Sequence, residues 1–164
     1  MFSLIITIIS IALVAALAVA SVYYGGNAFS QGTAKANASA LVAQAQQIAA
    51  ANTLYANDNS GVLAADTATL KTGGYLASVP EPNDKVSLND YEFAGRVVTL
   101  SLNDGATEVA KQVNLQAGLA EAPADVSGSA PSDEAGWMGL SGQFGVVDTN
   151  GSTTDGGLVF FYKG

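Results

Sequence analysis

Cysteine and histidine are both absent from the 164 residues of this chain. Without cysteine there is no disulfide scaffold, no thiolate metal site and no thiol nucleophile. Without histidine the chain lacks the side chain that most often acts as general base or binds a transition metal. Basic residues are also scarce, since six Lys and Arg stand against 14 Asp and Glu. A surface that binds the phosphates of a nucleic acid needs many basic side chains, so the excess of acidic residues disfavours nucleic-acid binding.

The remaining polar residues form no convincing catalytic arrangement. The carboxylate pairs Asp133 with Glu134 and Glu81 with Asp84 stand beside no obvious nucleophile, and surface carboxylates are ordinarily solvated. Ser141 lies in a Gly-Leu-Ser-Gly sequence that lacks the full nucleophile-elbow pattern and has no histidine to activate it. We therefore expect that the chain is not an enzyme.

Charge is missing altogether from residues 1–24, where most positions are Ile, Leu, Val or Ala. As a helix this segment is about 36 Å long, which is enough to cross a hydrocarbon core of about 30 Å. We predict a membrane-spanning helix. A cleaved signal peptide is the alternative, because Ala18-Val19-Ala20 precedes Ser21 in the manner of a cleavage site. Against it, no basic residue precedes the apolar run, and the first one is Lys35.

The few polar residues of the apolar segment share one helical face. Ser3, Thr7 and Ser10 are spaced at i, i+4 and i+7, and Ser21 returns near the same side. Alanines are frequent between them and let helix backbones approach closely, while hydroxyls can bond across to another helix. The alternative is that the hydroxyls bond carbonyls of their own helix. We predict that the residues contacting other helices are Met1, Phe2, Ser3, Thr7, Ser10, Val14, Leu17 and Ser21.

Aromatic residues and a glycine pair follow the apolar segment. Tyr23, Tyr24 and Phe29 are predicted to form an aromatic belt at the membrane surface. The pair Gly25-Gly26 predicts a flexible break in the helix. Residues 33–55 beyond it are rich in Ala and Gln and contain neither Gly nor Pro, so a further helical stretch is predicted. Its apolar residues form a narrow stripe, which we expect to cover a sheet: Leu41, Val42, Ala45, Ile48, Ala49 and Tyr55.

Turn-forming residues and short β-branched runs dominate the rest of the chain. Residues 57–61 are predicted to end the helix, and residues 66–71 to form a short helical turn. Strands are predicted at residues 91–93 and 96–102, paired as a hairpin.

The C-terminal third holds a helix, a loop and two strands in our interpretation. Residues 104–118 are predicted to be a helix capped by Asp104, with a third strand as the alternative. Residues 120–136 contain few large apolar groups and are predicted to be a surface loop. Residues 143–147 and 158–163 are predicted to be closing strands, with Trp137 packed beneath them.

The order of these elements resembles a type IV pilin or pseudopilin. The local sequence agrees, with Leu54-Tyr55 near the helix end, turn residues 57–61, Leu70, and the run Gly-Tyr-Leu-Ala-Ser-Val-Pro at residues 74–80. The expected fold is α+β, with a long N-terminal α-helix, apolar and then amphipathic, packed on a small antiparallel β-sheet. The expected division is a transmembrane and filament-core helix half at 1–29 and a globular head at 30–164. The head would comprise a helix half at 30–56, a loop at 57–90 and a sheet with inserted helix and loops at 91–164.

The resemblance implies a function and a set of partners. A pilin polymerises through its hydrophobic helix into an extracellular filament of identical subunits, which serves adhesion, motility, DNA uptake or conjugation. Before assembly it lies in the inner membrane and meets an assembly platform there. The alternatives are a membrane-anchored periplasmic or extracellular binding domain that does not polymerise, and a pseudopilin of a secretion system.

Three departures from the family pattern affect these expectations. The fifth residue is Ile5, where pilins usually carry a glutamate that pairs with the amino terminus of a neighbouring subunit. The amine of Met1 would then need another partner, such as Ser3, Thr7 or backbone carbonyls. The short basic leader is absent, so Met1 is expected to be the processed, methylatable first residue. The C-terminal disulfide loop is absent because there is no cysteine.

One loop near the C-terminus offers oxygen ligands. Asp148, Asn150 and Asp155 could bind Ca²⁺, as a comparable loop does in some pseudopilins. Their spacing does not match a helix-loop-helix calcium motif, and an ordinary turn rich in Asp and Asn is the alternative. We expect no other cofactor.

Overall fold

The computed structural model describes residues 2–87, 89–103, 105–125, 130–131, 133–149 and 157–164. Over these residues the protein has the predicted α+β fold, with a long N-terminal helix and a small, mainly antiparallel sheet. The chain divides into two compact units, Met1–Thr33 and Ala34–Gly164. We call the second unit the head.

Helix α1 spans Phe2–Asp58. Gly25 and Gly26 lie within it, so the predicted break at this pair is wrong. Each glycine disfavours a helix by about 1 kcal/mol relative to alanine, but the long helical runs on both sides carry the hydrogen-bond pattern through. The helix ends as predicted, where Ser60 and Gly61 adopt positive φ angles of 58° and 88°.

Three short helices follow in the described part of the chain: α2 Thr67–Thr72, α3 Thr107–Gln116 and α4 Glu134–Met138. Asp66 caps α2, because its Oδ1 accepts the Thr69 amide hydrogen at 2.7 Å. Hydrogen bonds from Thr69, first its hydroxyl and then its backbone N–H, hold the pKa of the Asp66 carboxyl below its usual value. The predicted cap of α3 is not found, since its N-cap residue is Ala106, without a side-chain hydrogen bond. Asp104 lies outside the described residues.

Five strands make up the sheet within the described residues: β1 Glu92–Ala94, β2 Val97–Ser101, β3 Ala124–Asp125, β4 Phe144–Asp148 and β5 Leu158–Lys163. Their spatial order is β1-β2-β5-β4-β3. The pairs β1 with β2, β2 with β5 and β5 with β4 are antiparallel, which confirms the predicted hairpin and closing strands. Strand β3 runs parallel to β4. The predicted loop at 120–136 is therefore wrong in two places, because it contains β3 and the first turn of α4.

The sheet is buried on both faces. On one face Leu100 and Phe160 pack against α1, whose buried residues there include Leu41 and Ile48, as the apolar stripe predicted. On the other face Trp137 of α4 packs against Val97, Val147, Val159 and Phe161. The Trp137 and Phe161 ring centroids are 5.9 Å apart, which confirms the predicted position of the tryptophan. Because successive side chains of β2 and β5 point to opposite faces, the two strands contribute to two apolar layers, one on each side of the sheet.

Two buried asparagines join the elements of the head. The Asn52 Oδ1 accepts the Ala64 amide hydrogen at 2.9 Å, which ties the chain after α1 back to the helix. The Asn114 side chain donates from Nδ2 to the Val146 carbonyl at 3.1 Å and accepts the Val146 N–H at 2.7 Å. The Asn114 amide thus takes the place of a neighbouring strand at Val146.

Replacing Asn114 with alanine is expected to lower the free energy of unfolding by about 2–4 kcal/mol. The reason is that two buried backbone groups of Val146 lose their partners. The measurement is urea unfolding of the protein in detergent micelles, followed by the near-UV circular dichroism of Trp137. Asn57→Ala, at an exposed position, is the matched control and should change stability by less than about 0.5 kcal/mol. Equal stability of the two variants would show that water replaces the Asn114 amide.

Candidate functional site

The first unit of the chain is an apolar helical surface. The described side chains of residues 2–33 are all exposed. The segment includes a window with mean hydropathy 2.8, none of which is buried. Among the described residues, α1 is the helix that is long and apolar enough to cross a membrane.

The exposed apolar side chains are too numerous for a surface in water. Burying one large aliphatic or aromatic side chain contributes about 1.5–3 kcal/mol, so twelve of them represent roughly 20–35 kcal/mol. A whole domain is stable by only about 5–15 kcal/mol. The segment therefore needs an apolar environment around it. The twelve residues between positions 2 and 22 are Phe2, Leu4, Ile5, Ile6, Ile8, Ile9, Ile11, Leu13, Val14, Leu17, Val19 and Val22.

The length of the apolar stretch matches a bilayer. At about 1.5 Å per residue, the helix from Phe2 to Val22 covers about 30 Å, the thickness of a hydrocarbon core. Tyr23 and Tyr24 follow directly, both exposed, with their ring centroids 5.7 Å apart in an edge-to-face arrangement. Tyrosine favours the boundary between hydrocarbon and water because its ring is apolar and its hydroxyl is polar. A spanning helix would thus place the tyrosines at one membrane surface.

Six of the predicted contact residues lie on one side of α1, which we call the seam: Ser3, Thr7, Ser10, Val14, Leu17 and Ser21. A helix turns about 100° per residue, so spacings of three and four keep all six within an arc of about 80°. Phe2 lies about 100° from Ser3 on the same scale and is not part of the seam. Met1 lies outside the described residues. The seam repeats every seven residues, the spacing with which helices pack side by side.

Two hydroxyl groups of the seam, those of Thr7 and Ser10, bond within their own helix. The Thr7 hydroxyl donates to the Ser3 carbonyl at 2.8 Å, and the Ser10 hydroxyl donates to the Ile6 carbonyl at 2.8 Å. Such bonds to carbonyls of the same helix were the predicted alternative to bonds that cross to another helix. Each oxygen still has a lone pair that can accept a hydrogen bond from a neighbouring molecule. Thr7 and Ser10 can therefore accept hydrogen bonds from another molecule while their own hydroxyl hydrogens stay bonded within the helix.

The apolar unit carries no side-chain charge. Lys35 is the first charged residue of the sequence, so the formal charge of -8 belongs to the head. Ile5, an uncharged residue, is 52% exposed. A charged group in hydrocarbon without a partner is strongly disfavoured, and residues 2–33 avoid this cost entirely.

The predicted calcium ligands are only partly described. Asp148 ends β4 and is 3% exposed. Asn150 and Asp155 lie outside the described residues. Among the described residues, no group of three or more His, Cys, Asp or Glu could hold a metal ion.

Asp133 and Ser141, two of the polar residues considered for catalysis, lie at a helix cap and at the edge of a cavity. The Asp133 Oδ1 accepts the Gly136 N–H at 2.9 Å and so caps α4. Ser141 borders a cavity of about 370 Å³ beside β4, lined chiefly by uncharged side chains such as Leu119, Leu140 and Phe161. A serine hydroxyl becomes a nucleophile only beside a base, and the described lining contains none.

Comparison of the chain with protein-family models, with characterised proteins and with solved structures found no match. Function must therefore be inferred from the exposed helix, its seam and the folded head.

Proposed function

We propose that this protein is the structural subunit of an extracellular filament of the type IV pilus kind, which polymerises through residues 2–33 of α1. Its partners are identical copies of itself in the filament, and the inner membrane with an assembly platform before polymerisation. The observation that carries the proposal is the fully exposed, uncharged apolar helix at the start of a chain whose remaining residues form a compact head. The role is structural and requires no catalytic residue.

The seam favours packing between helices over a simple lipid anchor. Lipid would cover the apolar side chains as well as protein does, because acyl chains are as apolar as leucine. Lipid has no donor for the hydroxyl oxygens of Ser3, Thr7 and Ser10, whereas a neighbouring helix can supply donors and can approach closely over small residues. A bundle of identical helices would thus offer hydrogen-bond donors to these oxygens and would allow close approach over the small residues.

Electron microscopy of sheared cell-surface material tests the proposal. We expect long fibres that bind an antibody raised against residues 34–164. The result that would overturn the proposal is the recovery of this chain only as detergent-soluble monomers from the membrane fraction. That outcome would favour a membrane-anchored binding domain, and short assemblies confined to the cell envelope would favour a pseudopilin.

Replacing Thr7 with valine is expected to reduce filament yield by about three- to thirty-fold. The substitution keeps the side-chain shape and removes a hydrogen bond between helices worth about 0.6–2 kcal/mol. The measurement is the amount of sedimentable filament per cell at equal expression of the chain.

Thr33→Val is the matched control for Thr7→Val. The Thr33 hydroxyl makes the same kind of bond inside its helix, to the Phe29 carbonyl at 3.0 Å, but lies outside the seam. Its replacement should leave filament yield unchanged. Equal yields from both variants would mean that the Thr7 hydroxyl serves only its own helix.

A further inference from the structure

A cavity of about 280 Å³ lies in the head between the last turns of α1 and the start of β2. It is lined on one side by Ala49, Asn52 and Ala56, whose spacing of three and four residues puts them on one face of α1. On the other side lie Arg96, the residue before β2, and Gly164, the residue after β5. The described residues of the lining include no Asp or Glu. The side chains around the cavity therefore carry a single, positive charge.

Asn52 brings an unused hydrogen-bond donor to this cavity. The residue is 2% exposed, and its Oδ1 accepts the Ala64 N–H at 2.9 Å, which fixes the orientation of the amide. Its Nδ2 makes no hydrogen bond to any described residue. Every fully enclosed side-chain nitrogen or oxygen of the described residues has a partner, so Nδ2 still meets open space. Buried polar groups are nearly always hydrogen-bonded, so the two hydrogens of Nδ2 need an acceptor within the cavity.

Arg96 brings an unpaired cation. The Arg96 carbonyl accepts the Gly164 N–H at 3.1 Å, which fixes the backbone beside the cavity. The guanidinium is exposed and makes no hydrogen bond or ion pair with any described residue. Neither Glu134, which lies against Gly95, nor the carboxyl group of Gly164 forms an ion pair with it. In a chain with 14 Asp and Glu against six Lys and Arg, an arginine without an acidic partner is available to an anion from outside.

We propose that this cavity binds a small organic acid, whose carboxylate accepts hydrogen bonds from the Arg96 guanidinium and from Nδ2 of Asn52. The planar fork of a guanidinium matches the two oxygens of a carboxylate. One cation balances one negative charge, and the net charge of -8 repels a phosphate dianion more strongly than a carboxylate. The volume is at the low end of the range for ligand pockets, so the ligand is small.

Titration with sodium acetate tests the site. The measurement is the NMR spectrum of the full chain in micelles of an uncharged detergent, at constant ionic strength. We expect saturable shifts of the Asn52 side-chain amide and of the Thr53 backbone amide, and no such shifts with an equal concentration of sodium chloride. The absence of a saturable shift with acetate would overturn the proposal, because water or a carboxylate of the chain itself would then fill the cavity.

Two variants assign the roles of the side chains. Arg96→Gln should weaken acetate binding by about ten- to a hundred-fold, because it removes a charged hydrogen-bond partner at an exposed position. Lys71→Gln removes the same charge from an exposed position outside the cavity and is the matched control. Equal affinities of these two variants would overturn the role of Arg96.

Asn52→Asp keeps an oxygen acceptor for the Ala64 N–H and replaces the donor with a negatively charged oxygen. Acetate binding, followed at the Thr53 amide, should be lost, while the near-UV circular dichroism of Trp137 shows whether the head is folded. A folded Asn52→Asp variant that binds acetate like the wild type would overturn the role of Asn52. If this variant does not fold, Arg96→Gln still decides the proposal.

Glucuronate and N-acetylaspartate present the carboxylate on a sugar and on an amino acid, and so distinguish two sources of the ligand. We expect one of them to bind more tightly than acetate, because its additional atoms fill the cavity. Weaker binding of both would mean that the cavity admits no organic acid larger than acetate, and would overturn the proposal. All titrations use single molecules in micelles, so the acid site and the filament can fail separately.

Discussion

Two lysines in the middle of the apolar segment, Ile9→Lys with Leu13→Lys, are expected to remove the chain from membranes and to abolish filaments. Each lysine near the centre of a spanning helix costs about 2.5–3.5 kcal/mol. The twelve large apolar residues together favour insertion by about 4–7 kcal/mol on the same scale, so two lysines cancel this preference. In a filament core, two buried ammonium groups without partners would each cost several kcal/mol more.

The measurement is the share of the chain that sediments with membranes after alkaline washing, together with filament yield. Ile9→Ala with Leu13→Ala is the matched control and should stay in the membrane. Gln47→Lys, on the exposed side of α1 within the head, adds a charge outside the apolar segment and should have no effect. A double lysine variant that sediments like the wild type would contradict the view that an apolar environment surrounds residues 2–22.

Replacing Phe160 with alanine is expected to destabilise the head by about 3–5 kcal/mol. Phe160 is 0% exposed in β5, where it is opposite Leu100 on one neighbouring strand and Val146 on the other. Its removal leaves a cavity at the centre of the layer between the sheet and α1. Since a domain is stable by about 5–15 kcal/mol in total, this loss is a large part of the stability of the head.

Urea unfolding in micelles, followed by the circular dichroism of Trp137, measures this loss. Phe29→Ala is the matched control, because Phe29 is 79% exposed and lies in the apolar unit. Its replacement should leave the unfolding midpoint of the head unchanged. A loss below about 1.5 kcal/mol for Phe160→Ala would mean that the core closes around the missing ring.

The elements with strong patterns were predictable from sequence, and those that depend on distant partners were not. Strands β2 and β5 are short runs of β-branched and aromatic residues, and the buried stripe of α1 follows helical spacing, so both were found. Strand β3 has two residues and exists because β4 lies beside it. Local glycine preference wrongly predicted a break at Gly25 and Gly26, because the cooperativity of a long helix was given too little weight.

In the candidate site, too, some features are predictable from the sequence and others depend on distant partners. The spacing of the seam and the absence of charge can be read directly from the sequence. The choice of the Thr7 hydroxyl between its own helix and another one cannot, because both uses have the same sequence pattern. Asn114 was missed as a structural residue, since an amide inside a helix gives no signal until its position opposite Val146 is known.

The pairing of Asn114 with Val146 also governs how neighbouring molecules can meet. An open strand edge is a template for a strand of another molecule, and crowding of many copies in a fibre would favour such merging. Here the Asn114 side-chain amide already occupies both backbone groups of Val146 in β4, next to the point where the two-residue border strand β3 pairs with β4. The other border strand, β1, is three residues long. Another molecule would therefore find little free backbone to pair with, and in the proposed filament the heads would crowd together without fusing their sheets.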